Sequence, residues 1–290
     1  MGTQARYDSR RLGFSPDRGA DVAKRARSLI DCIEVLHPFA EALGISLEAE
    51  SYMEHAERLA QDFTLPDWPQ GRINLVEAAV LDLFVRAIRP EIVVEVGVAS
   101  GVSSAALLSA LSTIGASDGP RLHSYDIMTR CYFDESRAVG EAVQEMVARL
   151  AGDQLLKRGG ARTAGEQLPN ASVRLAFIDA NHGHPAPVAD LIDLGPCLAP
   201  GAWVLLHDIR LNRAMLERDP ASERAVYGPE VLFDGWPGEK VRGVRFSSNI
   251  GAIRVDRPDE LTPDHLAAII DEPWEPIADS AHVRRTVGRA

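Results

Sequence analysis

The spacing of apolar residues divides the chain into two regions. Apolar residues recur at helical intervals over 21–43 and again over about 47–63, which predicts helices in both stretches. Residues 1–20 are polar and rich in arginine, and we expect a flexible arm there. The breaker-rich run 65–71 predicts a boundary. The helices of 21–71 could cap the remaining chain or form a dimer interface, and the sequence leaves both open.

After residue 72, short β-branched runs alternate with helical stretches, as parallel βαβ units require. The runs that predict strands are 92–96, 121–125, 155–162, 173–178 and 203–206, and those that predict helices are 74–89, 103–111, 135–150 and 188–194. The runs 241–246 and 250–255 predict an antiparallel hairpin, followed by a C-terminal helix and tail over 258–290. The predicted fold class is therefore α/β, with a Rossmann-like, seven-stranded, mostly parallel sheet over 72–257.

Composition narrows the classes of function. The chain has 31 Lys and Arg against 42 Asp and Glu, a formal net charge of −11, which argues against a nucleic-acid partner. No apolar run reaches the roughly 18 residues of a membrane span, and the N-terminus does not resemble a signal peptide. The three cysteines lack paired spacing, which is typical of a reducing compartment, so we expect a cytoplasmic protein.

A glycine turn follows the first predicted strand of the sheet. It contains Glu95, Gly97, Ser100 and Gly101, and it opens the next helix. Glycines let the backbone approach a ligand closely, and the free N–H groups of a helix start favour an anion. The spacing is G-x-x-x-G, whereas dinucleotide sites have G-x-G-x-x-G, so a nicotinamide cofactor is disfavoured. A glycine turn that serves packing alone is the alternative.

Asp126 ends the second predicted strand. Because strand ends face the crevice of a doubly wound sheet, a carboxylate there can accept the hydroxyls of a ribose. The alternative is an aspartate that caps the next helix. Taken with the glycine turn, Asp126 predicts a nucleoside-bearing ligand.

Acidic and histidine residues follow the next two strands. Asp179 and His182 leave the strand 173–178, and His207 and Asp208 leave the strand 203–206. Neighbouring parallel strands end at one edge, so these four side chains are expected to converge. Two carboxylates with an imidazole suit a hard divalent cation, and a neutral histidine can act as a general base. Each aspartate could instead cap the turn that follows its strand.

Other polar and aromatic residues carry weaker interpretations. His184, Tyr227 and Trp236 are candidate contacts for a substrate, although a loop-surface position for His184 and buried packing for the two aromatic residues are open alternatives. Asp190 and Asp193 are expected on a solvated helix face.

The turn of Glu95, Gly97 and Gly101, with Asp126 after the next strand, resembles the class I S-adenosylmethionine-dependent methyltransferases over about 75–255. The resemblance implies that the glycine turn holds the methionine part of the cofactor and that Asp126 binds its ribose. The run 162–169 resembles the adenine-side loop of that family. The cofactor contacts implied are Glu95, Gly97, Ser100, Gly101, Asp126, Ala164, Glu166 and Asp179.

The run 177–209 is similar to the branch that contains macrolide-sugar and rhamnosyl O-methyltransferases and cephalosporin hydroxylase-like proteins. This similarity implies that Asp179 and Asp208 are metal ligands and that His182 is the general base, with Asp179 beside it in the catalytic set. His207 stands where the branch usually has glutamate. We therefore expect a metal set of Asp179, His207 and Asp208, holding Mg²⁺ or a softer ion such as Mn²⁺ or Fe²⁺.

The sequence as a whole predicts an S-adenosylmethionine-dependent O-methyltransferase. Its expected acceptor is a hydroxylated small molecule, either a sugar or a natural product, and the expected assembly is a homo-oligomer such as a homodimer. One alternative is a non-catalytic nucleoside-binding regulatory or scaffold protein, which the histidine at position 207 favours. A nicotinamide-dependent oxidoreductase is the other alternative, and the glycine spacing speaks against it.

Overall fold

The computed structural model describes residues 18–31, 33–115, 119–210, 227–244, 248–272 and 281–288. The first described elements are three helices, α1 (Arg18–Asp31), α2 (Ile33–Ala42) and α3 (Ala49–Asp62). Residues 1–17, where most of the expected arm falls, lie outside the described residues. The apolar faces of these helices bury Leu29, Phe39 and Leu59 in the same core as one face of the sheet. The predicted dimer interface stays a prediction.

Helix α4 (Leu75–Ile88) begins at a capping box. The Asn74 side chain accepts hydrogen bonds from the backbone N–H groups of Val76 and Glu77, and the Glu77 carboxylate accepts one from the Asn74 N–H. This reciprocal arrangement satisfies N–H groups that a helix start otherwise leaves unpaired. The predicted helix 74–89 is thus reproduced, with Asn74 as its cap.

The main sheet has seven strands in the order β5-β2-β1-β6-β7-β9-β8. The strands in chain order, with a separate two-stranded hairpin of β3 and β4, are β1 (Val93–Val96), β2 (Leu122–Asp126), β3 (Arg130–Cys131), β4 (Asp134–Ala138), β5 (Gln154–Arg158), β6 (Val173–Ile178), β7 (Leu198–Leu206), β8 (Lys240–Arg242) and β9 (Gly251–Val255). The adjacent pairs β5–β2, β2–β1, β1–β6 and β6–β7 are parallel. Strand β9 pairs antiparallel with β7 and with β8. The predicted fold class is confirmed.

Helices cover both faces of the sheet. The remaining helices are α5 (Val102–Leu111), α6 (Glu141–Val147), α7 (Ala161–Gln167), α8 (Ala186–Leu194), α9 (Gly228–Gly235), α10 (Ala267–Ile270) and α11 (Ala281–Thr286). Strand side chains alternate between two apolar clusters: Leu175 and Phe177 join the cluster of α4 and α5, and Ala176 joins that of α7, α8 and α9. A parallel sheet covered on both faces explains why its strands read as continuous apolar runs.

The predicted helix 135–150 is wrong over residues 135–140. Residues 134–138 form β4, which folds back on β3, and α6 begins only after Gly140. Gly140 has φ +79°, a conformation that glycine adopts without strain and that interrupts a continuous helix. A 3₁₀ helix over 148–153 follows α6. The turn at Gly140 therefore decides the local structure, although the apolar residues here recur at helical spacing.

Two other boundaries moved from their predicted positions. Strand β5 ends at Arg158 rather than at residue 162, because α7 already begins at Ala161. Strand β8 is short and ends at Arg242, so the connection to β9 is longer than the three-residue turn expected; residues 245–247 of it lie outside the described part.

The order of the strands fixes where a ligand can bind. From β1 the chain runs to β2 and β5 on one side, and it then crosses over to β6 on the other side of β1. Such a reversal opens a crevice outside the carboxyl ends of the strands. The carboxyl ends of β1, β2, β6 and β7 meet there. Among the described residues, no helix is long and apolar enough to cross a membrane.

Gly101 and Gly140 bring two helix starts together at this edge. Gly101 has φ +89°, and an added Cβ would lie 2.8 Å from the Cα of Gly140. We expect Gly101→Ala to lower the free energy of unfolding by about 1–3 kcal/mol, because it adds both backbone strain and a backbone clash. Urea unfolding measures the change. The control is Gly152→Ala, where a Cβ meets nothing within 4 Å; an equal effect in both variants would contradict the argument.

Asp190 departs from the solvated position expected for it. It lies partly buried on α8, and burial together with the charge of Asp193 raises its pKa from 3.8 to about 7. An acid whose pKa is raised by folding holds its proton better in the folded chain than in the unfolded one. It therefore costs stability as the pH rises from about 4 to about 7, and the cost is complete above that window.

We accordingly expect Asp190→Asn to stabilise the protein by about 1–4 kcal/mol near pH 8, and by much less near pH 4. The neutral amide keeps the size of the side chain and has no charge to bury. Urea unfolding at both pH values measures the difference, with the exposed Asp264→Asn as control. A stabilisation that does not depend on pH would argue against a buried charge at Asp190.

Candidate functional site

The glycine turn touches the end of the neighbouring strand β6. Gly97 has φ +88°, and a Cβ there would lie only 2.1 Å from the carbonyl oxygen of Asp179. The Asp179 N–H in turn donates to the Val96 carbonyl at 2.8 Å. Only glycine allows so close an approach of two backbones. The turn and the first residue after β6 therefore share one wall of the crevice.

Glu95 supports the turn from inside the protein. Its carboxylate is 0% exposed and accepts hydrogen bonds from the hydroxyls of Ser103, Ser104 and Ser124, each at 2.6 Å. Burial raises the pKa of Glu95, and the three hydroxyl donors oppose that rise. These bonds tie the first turn of α5 to β1 and β2. The predicted contact between Glu95 and a cofactor stays a prediction.

Asp126 braces the glycine turn from the end of β2. One carboxylate oxygen accepts the N–H groups of Val98 and Ala99 at 3.0 Å, and the other accepts the N–H of Met128 at 2.8 Å. Three of the roughly four acceptor positions of a carboxylate are thus used within the protein. The capping alternative holds in a modified form, because Asp126 caps the glycine turn rather than a helix. Its predicted contact with a ribose stays a prediction.

A cleft opens beside the glycine turn. It is lined by Ser100 and its neighbours in the turn, by the first residues of α5, by Asp179, and by the segment 71–73. The sequence interpreted residue 71 as a boundary, whereas the structure lays this segment against the crevice. Tyr132 approaches from the β3–β4 hairpin: it is 59% exposed, and its hydroxyl lies over Gly71. The segment 71–73 before α4 therefore contributes to the cleft, and whether the helices of 21–71 cap it stays a prediction.

The two residues expected on the adenine side do not present side chains to the cleft. Ala164 is fully buried in the core on α7. Glu166 is mostly exposed and paired with Arg162 at 2.8 Å. The structure gives no support to side-chain contacts from either residue.

The four residues expected to converge do so at the ends of β6 and β7. His182 Nε2 lies 3.0 Å from Asp179 Oδ1, and His182 Nδ1 lies 3.4 Å from Asp208 Oδ2. His207 Nδ1 lies 3.3 Å from Asp179 Oδ1 and 3.4 Å from Asp208 Oδ1. Two imidazoles and two carboxylates thus alternate around one small space. We call these four residues the acid–histidine cluster.

Mutual attraction shifts the titration of the cluster. Burial favours a neutral His182, but its hydrogen bond to Asp179 and the charges of both aspartates outweigh burial and raise its pKa. The same opposition raises the pKa of His207 more strongly. Burial works against an ionised Asp179, yet His207 and His182 hold its pKa well below the usual range. Burial raises the pKa of Asp208 despite both histidines.

The donor atoms of the cluster fit a divalent cation. Ligand atoms of Asp179, His182 and Asp208 lie within 4.8 Å of one another. Two carboxylates and an imidazole suit Mg²⁺, Mn²⁺ or Fe²⁺. The metal set predicted from the sequence has His207 in place of His182 beside the two aspartates. The His207 ring is buried and packs against Phe177 in a T-shaped arrangement. A nitrogen that binds a metal has no lone pair for a proton, so His182 cannot be ligand and base through one atom.

Two residues that the sequence analysis missed anchor the cluster. Glu77 is buried, and its Oε2 lies 3.6 Å from His207 Nε2. The Asn249 amide donates to Asp208 Oδ1 at 2.6 Å. The pattern Asn74-x-x-Glu77 could have marked Glu77 as part of a capping box, but no local pattern connects Asn249 to a strand end far away in the chain.

The three candidate substrate contacts lie in two different places, with His184 and Tyr227 in one and Trp236 in the other. His184 is buried beside the start of α9, and Tyr227 forms an isolated bridge with Gly183, next to the cluster. Burial and the charge of Asp208 raise the pKa of Tyr227. Both remain candidates for substrate contact.

Trp236 lies elsewhere, and its packing alternative is the one supported. Its indole N–H donates to the carbonyl of Arg254 at 3.2 Å. Arg254 pairs with Trp203, three residues before the carboxyl end of β7. At about 3.3 Å per residue, this places the bond roughly 10 Å from the crevice edge.

The segment 94–209 matches the model of a protein family described as Methyltransferase domain. No curated protein matches the sequence. Similar solved structures include the O-methyltransferase TomG from Streptomyces achromogenes, involved in tomaymycin synthesis and solved with SAM, at 20% identity and a TM-score of 0.45, covering 75% of this chain and 94% of that one.

Two further structures resemble the chain to a similar degree. An O-methyltransferase from Bacillus cereus in complex with SAH has 16% identity and a TM-score of 0.47, covering 81% of this chain and 99% of that one. The SAH-bound methyltransferase PaMTH1 from Podospora anserina has 13% identity and a TM-score of 0.46, covering 88% and 99%. Likeness at this level assigns no activity.

The segment matched by the family model contains the glycine turn, Asp126 and the whole acid–histidine cluster. The strand order and the crevice agree with the resemblance to class I S-adenosylmethionine-dependent methyltransferases. Over residues 94–209 the chain is therefore similar to a methyltransferase domain.

Proposed function

We propose that this protein transfers a methyl group from S-adenosylmethionine to a hydroxyl of a small molecule, such as a sugar or a natural product. The observation that carries the proposal is the contact between Gly97 and the Asp179 backbone, because it joins the glycine turn and the acid–histidine cluster in one crevice. Methyl transfer to oxygen requires the donor and the acceptor to be bound next to each other, with the acceptor oxygen in line with the carbon–sulfur bond of the donor. A donor bound at the turn would lie next to a base.

The glycine turn fits the carboxylate end of the donor. The turn opens α5, and Ser100 with the following residues lines the cleft. A helix start offers N–H groups and a partial positive charge to a carboxylate. When bound, S-adenosylmethionine supplies an electrophilic methyl group on a sulfonium.

His182 is proposed as the general base. Its Nε2 is held by Asp179 at 3.0 Å, whereas Nδ1 lies 3.4 Å from Asp208, too far for a strong hydrogen bond. Nδ1 is therefore the atom to accept the proton of the acceptor hydroxyl. The hydroxyl oxygen bonds to the methyl carbon, the carbon–sulfur bond breaks, and its electron pair stays on sulfur. Asp179 orients the ring and stabilises the imidazolium.

A divalent metal is a second part of the proposal. Asp179, His182 and Asp208 would hold it, and it would lower the pKa of an acceptor hydroxyl. His182 would then be a ligand, and the base role could not use the same nitrogen. The metal and base assignments to His182 therefore compete, and removal of metal separates them.

We expect S-adenosylhomocysteine to bind one site per chain both with Mg²⁺ and with excess EDTA. The glycine turn and Asp126 are held by hydrogen bonds that involve no metal ligand other than the Asp179 backbone. Calorimetric titration measures the binding. Absence of binding in both conditions would contradict the proposed function, and binding only with Mg²⁺ would show that the metal completes the cofactor site.

We expect His182→Gln to reduce methyl transfer about 10²–10⁴-fold, as removal of a general base does, while S-adenosylhomocysteine still binds. The measurement is transfer of labelled methyl from S-adenosylmethionine to a panel of glycosides and hydroxylated polyketides, at saturating cofactor. The control is His265→Gln, a half-exposed histidine paired with Glu260 outside the crevice. Equal loss of binding and turnover would remove His182 from the base role.

A further inference from the structure

We propose that Glu77 is a positioning residue for the acid–histidine cluster: it fixes the His207 ring directly and the Asp208 carboxylate through Asn249. The proposal rests on the proposed function, since it concerns the same site. Glu77 touches no reacting atom, and it belongs to α4, which lies before the segment 94–209 that matches the family model.

The two oxygens of Glu77 have different partners. Oε2 accepts the Asn74 N–H at 2.7 Å, which closes the capping box of α4. Oε1 accepts the backbone N–H of Asn249 at 2.7 Å, across 172 positions of sequence. A helix cap needs only the first bond. The second bond connects the start of α4 to the segment that leads into β9.

The Glu77 carboxylate also confines the His207 ring. It is 4% exposed, and Oε2 lies 3.6 Å from His207 Nε2. On the opposite side of the ring, Nδ1 lies between the two aspartates, 3.3 Å from Asp179 Oδ1. The imidazole therefore lies between carboxylates at both of its nitrogens, although neither nitrogen forms a hydrogen bond, and it packs against Phe177 in a T-shaped arrangement. Attraction towards carboxylates on both sides disfavours rotation of this buried ring.

Asn249 connects Glu77 to Asp208. Its side-chain oxygen accepts the Arg210 N–H at 2.8 Å, and its side-chain amide donates to Asp208 Oδ1 at 2.6 Å. Asp208 has φ +62°, an uncommon conformation that aspartate adopts more readily than most residues with a side chain. The bonds from Asn249 on both sides of this turn favour it. Through the Glu77–Asn249 bond, the start of α4 stabilises the backbone turn that directs Asp208 into the cluster.

Bonds of this kind matter because the cluster is small. Its interatomic distances lie between 3.0 and 3.4 Å. Partners that orient such ligands typically contribute 10–100-fold to metal affinity or activity. Loss of the Glu77 anchor should therefore disturb the site without removing any of its four residues.

The test compares Glu77→Gln with Asn74→Ala. Glutamine keeps the size of the side chain but loses the charge and one of the two oxygens, whereas Asn74→Ala weakens the same helix cap and leaves the Glu77 carboxylate in place. The first readout is the imidazole ¹H–¹⁵N signals of the eight histidines at one pH, with uniform ¹⁵N-histidine labelling. We expect the His207 signal to shift in Glu77→Gln and to stay in Asn74→Ala.

The second readout is turnover. We expect kcat to fall about 10–100-fold in Glu77→Gln, with an unchanged dissociation constant for S-adenosylhomocysteine and with near wild-type kcat in Asn74→Ala. An unshifted His207 signal, or equal shifts in both variants, would reduce Glu77 to a helix cap and overturn the inference. Failure of the wild type to bind S-adenosylhomocysteine would instead overturn the proposed function, and the histidine signals would still decide the role of Glu77.

Asn249→Ala keeps the inference testable if Glu77→Gln does not fold. This variant removes the amide that holds Asp208, while its backbone N–H can still donate to Glu77. Because His182 Nδ1 and His207 Nδ1 each lie 3.4 Å from an oxygen of Asp208, we expect both signals to shift. Unshifted His182 would contradict the transmission through Asn249.

Discussion

The site depends on the backbone contact between the glycine turn and the end of β6. A Cβ on Gly97 would lie 2.1 Å from the Asp179 carbonyl oxygen, so the two chain segments can approach only where a side chain is absent. This approach has two consequences. It puts the N–H groups at the start of α5 beside the acid–histidine cluster, and it seals that side of the crevice with backbone. The cleft and the acid–histidine cluster thus lie side by side because Gly97 has no side chain.

The crevice contains more buried charge than an ordinary core tolerates. Burying an isolated carboxylate is expensive, and the cost falls only when hydrogen bonds or opposite charges compensate it. Glu95 meets this requirement with three serine hydroxyls, Asp126 with three backbone N–H groups, and the aspartates of the cluster with two histidines. These hydrogen bonds and ion pairs also fix the direction of each carboxylate. The interactions that compensate the cost of burial are therefore the same ones that preorganise the site.

The sequence predicts what depends on local period and on parallel topology. Buried strands such as β1 and β6 are continuous apolar runs, and their carboxyl ends meet by rule, so the convergence of Asp179 and Asp208 could be predicted. The β3–β4 hairpin could not, because Gly140 ends it and the surrounding residues still have a helical period. Glu77 and Asn249 escaped because their roles depend on a bond across 172 positions, which no local pattern encodes. The position of residues 71–73 in the wall of the cleft could not be predicted either, because it depends on contacts with residues distant in the chain.

His207 is where sequence and geometry together change the chemistry of the site. In place of the glutamate usual in the resembled branch, the chain has an imidazole with carboxylates at both nitrogens: Glu77 at 3.6 Å and Asp179 at 3.3 Å. A glutamate at this position would add a further negative charge beside Glu77, Asp179 and Asp208. An imidazole adds none, and its ring can donate towards the same oxygens that a metal would bind. The aspartates therefore have a partner of opposite or neutral charge within the chain.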